Sequence, residues 1–128
     1  MVIIGFSCKT SVPVIRLLCR HFKHCVIITK HTDKFILHQF IRRNNVAHIA
    51  ITKRGIAQLV QNGWVFIYLY QSPVRFNIHT WTCVNYVKNA IGLRAFWIQT
   101  PNALYKYLKK IYKTMIKQLI KIKSAKEI

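Results

Sequence analysis

Five short apolar runs, separated by polar or turn-forming residues, are the feature that most constrains the fold of this chain. Runs of this length between turn residues are typical of β-strands. The polar segment 30–34 between the second and third runs predicts a hairpin, and the last run, the most strand-like, is expected in the middle of the sheet. The runs are Val2–Phe6, Cys25–Thr29, Phe35–Ile41, Val46–Thr52 and Trp64–Tyr70.

Helix-capping residues predict four helices around these strands. Ser or Thr close to a proline marks two of the starts, and glycine marks two of the ends. A helix, a series of strands and then further helices indicate an α+β domain, and 128 residues are enough for one such domain. The predicted helices start at Ser11, run over Arg54–Gln61, run from Thr82 to Gly92, and start at Thr100.

The charge of the chain is strongly unbalanced, with 21 Lys and Arg residues, two acidic residues and a net charge of +19. This composition excludes catalysis by paired carboxylates and carboxylate-rich metal sites. The cysteines contain no Cys-x-x-Cys pair, so neither a metal site nor a cofactor is predicted. Unpaired positive charge indicates polyanionic partners, although drift in AT-rich coding sequence explains the lysine excess equally well.

Cys83 is the candidate nucleophile on physical grounds. It follows Thr82, the predicted N-cap, so its sulfur should lie at a helix N-terminus, where free N–H groups and the helix dipole lower the pKa of a thiol. A thiolate is the reactive form of cysteine, and the same N–H groups can bind an oxyanion. His24, at the head of a predicted strand, is a candidate base. The alternative is that Cys83 is a small core residue of an apolar helix.

Two blocks of the sequence carry a family resemblance. In the first, 11–28, Phe22-x-His24 follows a predicted helix and leads into the apolar Val26-Ile27-Ile28; the second, 81–104, begins Trp-Thr-Cys-Val and continues to Thr-Pro-x-x-Leu. Together they resemble the circularly permuted papain-like cysteine peptidases and amidases. This is the NlpC-related group that includes YiiX-type and lecithin–retinol acyltransferase-like proteins, and the likeness is to its small phage and proteobacterial members.

The resemblance implies roles for individual residues. Cys83 would be the nucleophile and His24 the general base, on a small antiparallel sheet flanked by an N-terminal helix and the nucleophile helix. The group orients its histidine with a polar residue of the next strand, for which His38 and Gln39 are the candidates and His48 is a more distant one. Because side chains alternate along a strand, only one of His38 and Gln39 can face His24. The implied activity is that of a thiol hydrolase or acyltransferase acting on an amide or ester bond.

The C-terminal segment is predicted to be a basic amphipathic helix. Leu104, Leu108, Ile111 and Met115 recur at helical spacing among lysines. We therefore divide the chain into a papain-like domain, 1–108, and a basic helical tail, 109–128. The tail either packs on the domain through its apolar stripe or binds an anionic membrane surface or nucleic acid.

A second function follows from the same basic character. The chain could be a non-catalytic basic module that binds nucleic acid or an anionic membrane. The apolar start of the chain lacks a basic segment before it, so no secretory signal is predicted. We therefore expect a cytoplasmic protein, either free or peripheral to a membrane.

Overall fold

Five strands of the chain form one antiparallel sheet in the order β4-β3-β2-β1-β5. The computed structural model describes residues 1–8 and 22–111. The α+β class agrees with the sequence prediction, and the helix predicted from Ser11 lies outside the described residues. The elements are β1 (Val2–Ser7), β2 (His24–His31), β3 (Lys34–Arg42), β4 (Asn45–Ile51), α1 (Lys53–Gln61), β5 (Val65–Leu69), α2 (Cys83–Ile91) and α3, helical over residues 101–111.

Helices cover both faces of the sheet. On one face, Ile56 of α1 packs in a cluster with Ile3 and Val26. On the other face, Val87 of α2 and Leu104 of α3 pack in a larger cluster that includes strand residues of β1 and β2. Every residue of β1 is buried as a result. Burial on both faces explains why these inner strands are continuously apolar and do not alternate with polar residues.

Two tight turns set the register of the β2–β3–β4 meander. His31 lies opposite Lys34 across the first turn, and Arg42 lies opposite Asn45 across the second. Each turn contains one residue in the left-handed region, with φ of 55° at Thr32 and 64° at Asn44. The pairing of β2 with β3 decides which side chains of β3 share a face with those of β2, and therefore which can reach His24.

The apolar run 64–70 forms an edge strand, and the prediction of a central position is wrong. β5 pairs with β1, with Val2 opposite Leu69, and lies at the end of the strand order. Its apolar character reflects the burial of Ile67 and Leu69 in the core cluster that α2 and α3 also line, and the position of Phe66 over the neighbouring strand. The Phe66 ring approaches β1 so closely that a Cβ on Gly5 would lie 2.7 Å from its Cε1 atom. A glycine at this position is therefore needed for the two strands to pack.

Local capping sets the ends of the helices, as predicted for α2 and α3. Thr52, predicted as the last residue of a strand, instead caps α1, and its side chain accepts a hydrogen bond from the Gly55 N–H at 3.0 Å. Gly92 ends α2 with φ of 73°. Thr100 accepts a hydrogen bond from the Ala103 N–H at 3.1 Å at the start of α3. These caps satisfy backbone groups that a helix end leaves unpaired.

The first part of the lysine-rich segment packs on the domain. Leu104 and Leu108 of α3 are buried in the cluster that α2 contributes to. The rest of the tail, 112–128, lies outside the described residues, so the division between 108 and 109 stays a prediction. None of the described helices is long and apolar enough to span a membrane.

Candidate active site

Cys83 is the first residue of α2. The preceding residue, Thr82, has extended backbone angles, and its side chain accepts a hydrogen bond from the Asn85 N–H at 3.1 Å. The Thr82 carbonyl accepts a second bond from the Tyr86 N–H at 3.1 Å. These two bonds fix the first turn and leave the N–H groups of Cys83 and Val84 for another acceptor near the partly exposed Cys83 sulfur.

Two consecutive residues of β2, His24 and Cys25, contact the sulfur of Cys83. A hydrogen bond from the Cys25 thiol is the largest of the effects that lower the pKa of Cys83 from 9.0 to about 4. Burial acts in the opposite direction, whereas the hydrogen bond and charge of His24 and the backbone N–H of Cys25 lower the pKa further. Cys83 is therefore placed to be a thiolate at neutral pH.

Cys25 differs from Cys83 in its surroundings. Its side chain is fully buried in the sheet–helix core, and its hydrogen bond with Cys83, together with burial, raises its pKa well above the ordinary value. Cys83 lies at a helix N-terminus beside His24, and both features favour a negative charge. The shared negative charge of the pair therefore resides on Cys83.

His24 is buried and has a polar neighbour on β3. The Nε2 atom of Gln39 lies 3.5 Å from Nε2 of His24, and the Trp64 ring lies nearly perpendicular to the imidazole with a centroid distance of 6.3 Å. The Gln39 contact occupies Nε2, so Nδ1 is the ring nitrogen left for Cys83. A glutamine can serve both charge states of the imidazole, because its NH₂ group donates to a bare nitrogen and its oxygen accepts from an N–H.

His38 lies on the opposite face of β3 from Gln39. Its Nε2 forms a 2.9 Å hydrogen bond with Thr29 Oγ1, and its Nδ1 lies 2.7 Å from Nδ1 of His48 on β4. The structure thus brings Cys83, His24 and Gln39 together and places both His38 and His48 in a separate cluster. Alternation along β3, read with the β2–β3 register, is the physical reason for this separation.

The His38 cluster includes further side chains that keep His38 neutral. His31 Nε2 also contacts Thr29 Oγ1, at 3.1 Å, and the Phe76 ring packs on His38 with centroids 4.7 Å apart. Burial, followed by the charges of His48 and His31, lowers the pKa of His38 from 6.5 to about 4. His38 is therefore a neutral, structural histidine at physiological pH.

The turn between β3 and β4 supports the segment that leads to Cys83. The Asn44 N–H donates a 2.7 Å hydrogen bond to the Ile78 carbonyl, and the Asn44 side chain contacts the ring of His79. The Arg43 guanidinium lies over the Trp81 ring, 4.3 Å from its centroid. Together these contacts attach residues 78–81 to the sheet and set where α2 begins.

Sequence reasoning missed Cys25 as a member of the site. The residue lies in a buried apolar strand, which gives no reason to assign it a chemical role. Its position directly after His24 gave no usable signal, because consecutive residues of a strand point to opposite faces. Among residues 1–8 and 22–111, no group of three or more His, Cys, Asp or Glu side chains could hold a metal ion.

Comparisons with protein-family models, with curated proteins and with solved structures found no match to this chain.

Proposed function

We propose that this protein is a cysteine-dependent hydrolase or acyltransferase that acts on an amide or ester bond. The observation that carries the proposal is the environment of Cys83, a partly exposed sulfur at a helix N-terminus in contact with both His24 and Cys25. The proposal includes membership of the permuted papain-like group. Its support is the order of His24 before Cys83 and the packing of α2 against β2.

The first half of the proposed reaction forms an acyl-enzyme. The Cys83 thiolate attacks the carbonyl carbon of the substrate, and the electron pair of the carbonyl moves to oxygen. The free N–H groups of Cys83 and Val84 stabilise that oxyanion. Collapse of the intermediate breaks the bond to the leaving group, and His24 donates the proton that the departing amine or alcohol needs.

The second half releases the acyl group. His24, now neutral, removes a proton from water or from an acceptor alcohol or amine, and the resulting nucleophile attacks the thioester carbon. The carbon–sulfur bond breaks and the Cys83 thiolate is restored. Gln39 keeps the imidazole plane fixed throughout, while the Cys25 thiol donates its hydrogen bond to the sulfur whenever the sulfur is charged.

Two measurements on the full-length protein test this proposal. The rate of Cys83 alkylation by iodoacetamide, followed by peptide mass spectrometry from pH 3 to 10, should rise with a midpoint near pH 4. With p-nitrophenyl acetate, an acetyl group should accumulate on Cys83 and then turn over. His24→Ala should slow that turnover by about a hundredfold, the lower bound for loss of a general acid–base.

The controls separate an enzyme from a binding protein. Cys83→Ser should remove both the acetyl adduct and the ester hydrolysis, whereas His31→Ala, which replaces an exposed histidine of the separate His38 cluster, should leave both unchanged. The proposal is wrong if Cys83 alkylates only near the pH of an ordinary thiol. It is also wrong if His24→Ala hydrolyses the ester as fast as the unmodified protein. Either result would favour the non-catalytic basic module.

A further inference from the structure

The loop between α2 and α3 carries two exposed aromatic side chains side by side. Phe96 is 79% exposed and Trp97 is 66% exposed, although the residues on either side, Ala95 and Ile98, are buried. The two rings pack edge to face with centroids 5.3 Å apart. The loop thus projects an aromatic pair outward from a base that is anchored in the core.

Phe96 and Trp97 occupy the corner of a tight turn. The Ile98 N–H donates a 3.1 Å hydrogen bond to the Ala95 carbonyl, which closes a four-residue turn around them. Corner positions of turns favour Gly, Pro, Asn, Asp and Ser, and exposed aromatic rings lose the stabilisation of burial. The stability of the fold therefore does not explain why Phe96 and Trp97 occupy this turn. Binding to an apolar environment explains it.

The turn is held rigidly against α2. Lys88 is buried, and its Nζ donates a 2.8 Å hydrogen bond to the Ile98 carbonyl. The side chain of Gln99 also donates to the Phe96 carbonyl. An anchored turn loses little conformational entropy when its aromatic residues enter an apolar environment, and this small entropy loss favours binding.

Trp81 extends the same surface. It is 72% exposed, and it lines with Arg94 and Phe96 an open cleft of ≈ 410 Å³ beside α2. The Arg43 guanidinium stacks on the Trp81 ring. Three exposed aromatic rings and two guanidinium groups thus share one surface, which we name the aromatic–basic surface (Arg43, Trp81, Arg94, Phe96 and Trp97).

Charge defines what this surface can bind. The net charge of the chain is +19, and Asp33 is the single acidic residue of the described ranges. Asp33 lies in the β2–β3 turn, at the far end of β2 from His24 and Cys83. The aromatic–basic surface therefore has no nearby carboxylate among the described residues and complements an anionic partner.

We propose that the aromatic–basic surface binds the face of an anionic lipid bilayer. Phe96, Trp97 and Trp81 would insert at the level of the headgroups, where aromatic rings are favoured, while the two arginines pair with lipid phosphates. The edge-to-face rings of Phe96 and Trp97 form a wedge, not the parallel platform on which successive nucleic acid bases stack. A bilayer is therefore favoured over nucleic acid.

The proposal also places the candidate active site, at the N-terminus of α2, close to the membrane. Trp81 is two residues before Cys83, so binding through this surface brings the N-terminus of α2 to the membrane–water boundary. Binding itself needs no catalysis and does not depend on the proposed function. Loss of vesicle binding and loss of thiol chemistry are therefore separate results.

The test is sedimentation of the full-length protein with sucrose-loaded vesicles. Vesicles of 30% phosphatidylserine in phosphatidylcholine should bind the protein at least tenfold more tightly than phosphatidylcholine alone, and the tryptophan emission should shift to the blue. The double variant Phe96→Ser/Trp97→Ser places turn-favouring residues at the corner and should weaken binding at least tenfold. Arg94→Gln should weaken binding to the anionic vesicles about fivefold.

Tyr70→Ser is the matched control, because Tyr70 is an exposed aromatic residue outside the aromatic–basic surface. It should bind vesicles as the unmodified protein does. Far-ultraviolet circular dichroism and urea unfolding report that each variant is folded. The proposal is overturned if the folded double variant binds vesicles normally, which would assign binding to the lysine-rich tail. It is also overturned if the surface changes affect only oligonucleotide binding or self-association.

Discussion

The fully buried thiol of Cys25 on β2 donates a hydrogen bond to the sulfur of Cys83 at the start of α2. The pair carries its negative charge unequally, because the pKa of Cys25 is raised while that of Cys83 is lowered to about 4. A buried donor of this kind needs no movement to stabilise the thiolate. Part of the lowering of the Cys83 pKa therefore comes from a buried residue of the core and not from His24 alone.

Replacement of Cys25 tests that donor. Cys25→Val fills a similar volume without a donor, so the pKa of Cys83 should rise and the alkylation midpoint should move to higher pH. Each pKa unit lowers the thiolate fraction about tenfold on the acidic side of the midpoint. Cys25→Ser keeps a donor and should alkylate at pH 5 almost as the unmodified protein does. Equal midpoints for the Val and Ser variants would show that the thiol donor contributes nothing.

Gln39 should affect the histidine-dependent step and not the thiolate. Gln39→Leu removes the side chain that holds Nε2 of His24, so turnover of p-nitrophenyl acetate should fall about tenfold, a part of the full general acid–base contribution. Alkylation of Cys83 at pH 7 should not change, because a thiol with a pKa of about 4 is already ionised there. Gln61→Leu, an exposed position at the end of α1, is the control. A parallel fall in alkylation would point to displacement of α2.

The N-cap of α2 should contribute to both stability and reactivity. Thr82→Ala removes the acceptor for the Asn85 N–H and should lower the free energy of unfolding by about 1 kcal/mol, measured with urea. It should also slow Cys83 alkylation at pH 5 as the first turn frays. Thr52→Ala removes the equivalent cap of α1 and should lower stability by a similar amount, with Cys83 alkylation unchanged. If Thr52→Ala slows alkylation equally, the effect is global destabilisation.

His38 should make the stability of the protein depend on pH. Its pKa falls from 6.5 to about 4 on folding, so the unfolded chain binds the extra proton between these values. Above pH 6.5 His38 is neutral in both states and costs no stability. Between pH 6.5 and about 4 the free energy of unfolding should fall by about 3 kcal/mol, since each pKa unit corresponds to about 1.4 kcal/mol. Urea unfolding at pH 7.5 and pH 4.5 measures this loss.

The variant His38→Gln isolates that effect. It keeps a partner for Thr29 but does not titrate, so its stability should fall less between pH 7.5 and pH 4.5 than that of the unmodified protein. His79→Gln, at an exposed position, should keep the full pH dependence. His31 and His48 face His38 and remain in both variants. An equal loss of stability in His38→Gln and in the unmodified protein would assign the effect to other groups.

Local signals in the sequence were sufficient for most element boundaries. Thr82 and Gly92 act through hydrogen bonds or backbone angles within a few residues, so their effect is visible in a short window. The short apolar runs marked the five strands for the same reason. Thr52 also acts locally, but the apolar run before it led to its assignment to a strand. The position of β5 at the sheet edge depends on its pairing with β1, and no local pattern encodes that pairing.

The site was predictable only in part. Helix capping and the family resemblance led to Cys83 and His24, but they left His38 and Gln39 as alternatives. The β2–β3 register decides between them, because a shift of one residue exchanges the faces of the strand. Cys25 was missed because its role comes from a contact between β2 and α2, elements that are distant in the sequence.

The pairing of Val2 with Leu69 has a consequence for the order of folding. The β2–β3–β4 meander closes small loops, whereas the β1–β5 pair closes a long one at a greater loss of chain entropy, so we expect the meander to form first. Because α2 follows β5, the contact between Cys25 and Cys83 is completed late. In the unfolded chain both thiols titrate near their ordinary pKa. The time at which Cys83 becomes reactive at pH 5 therefore reports when the native state forms in a refolding experiment.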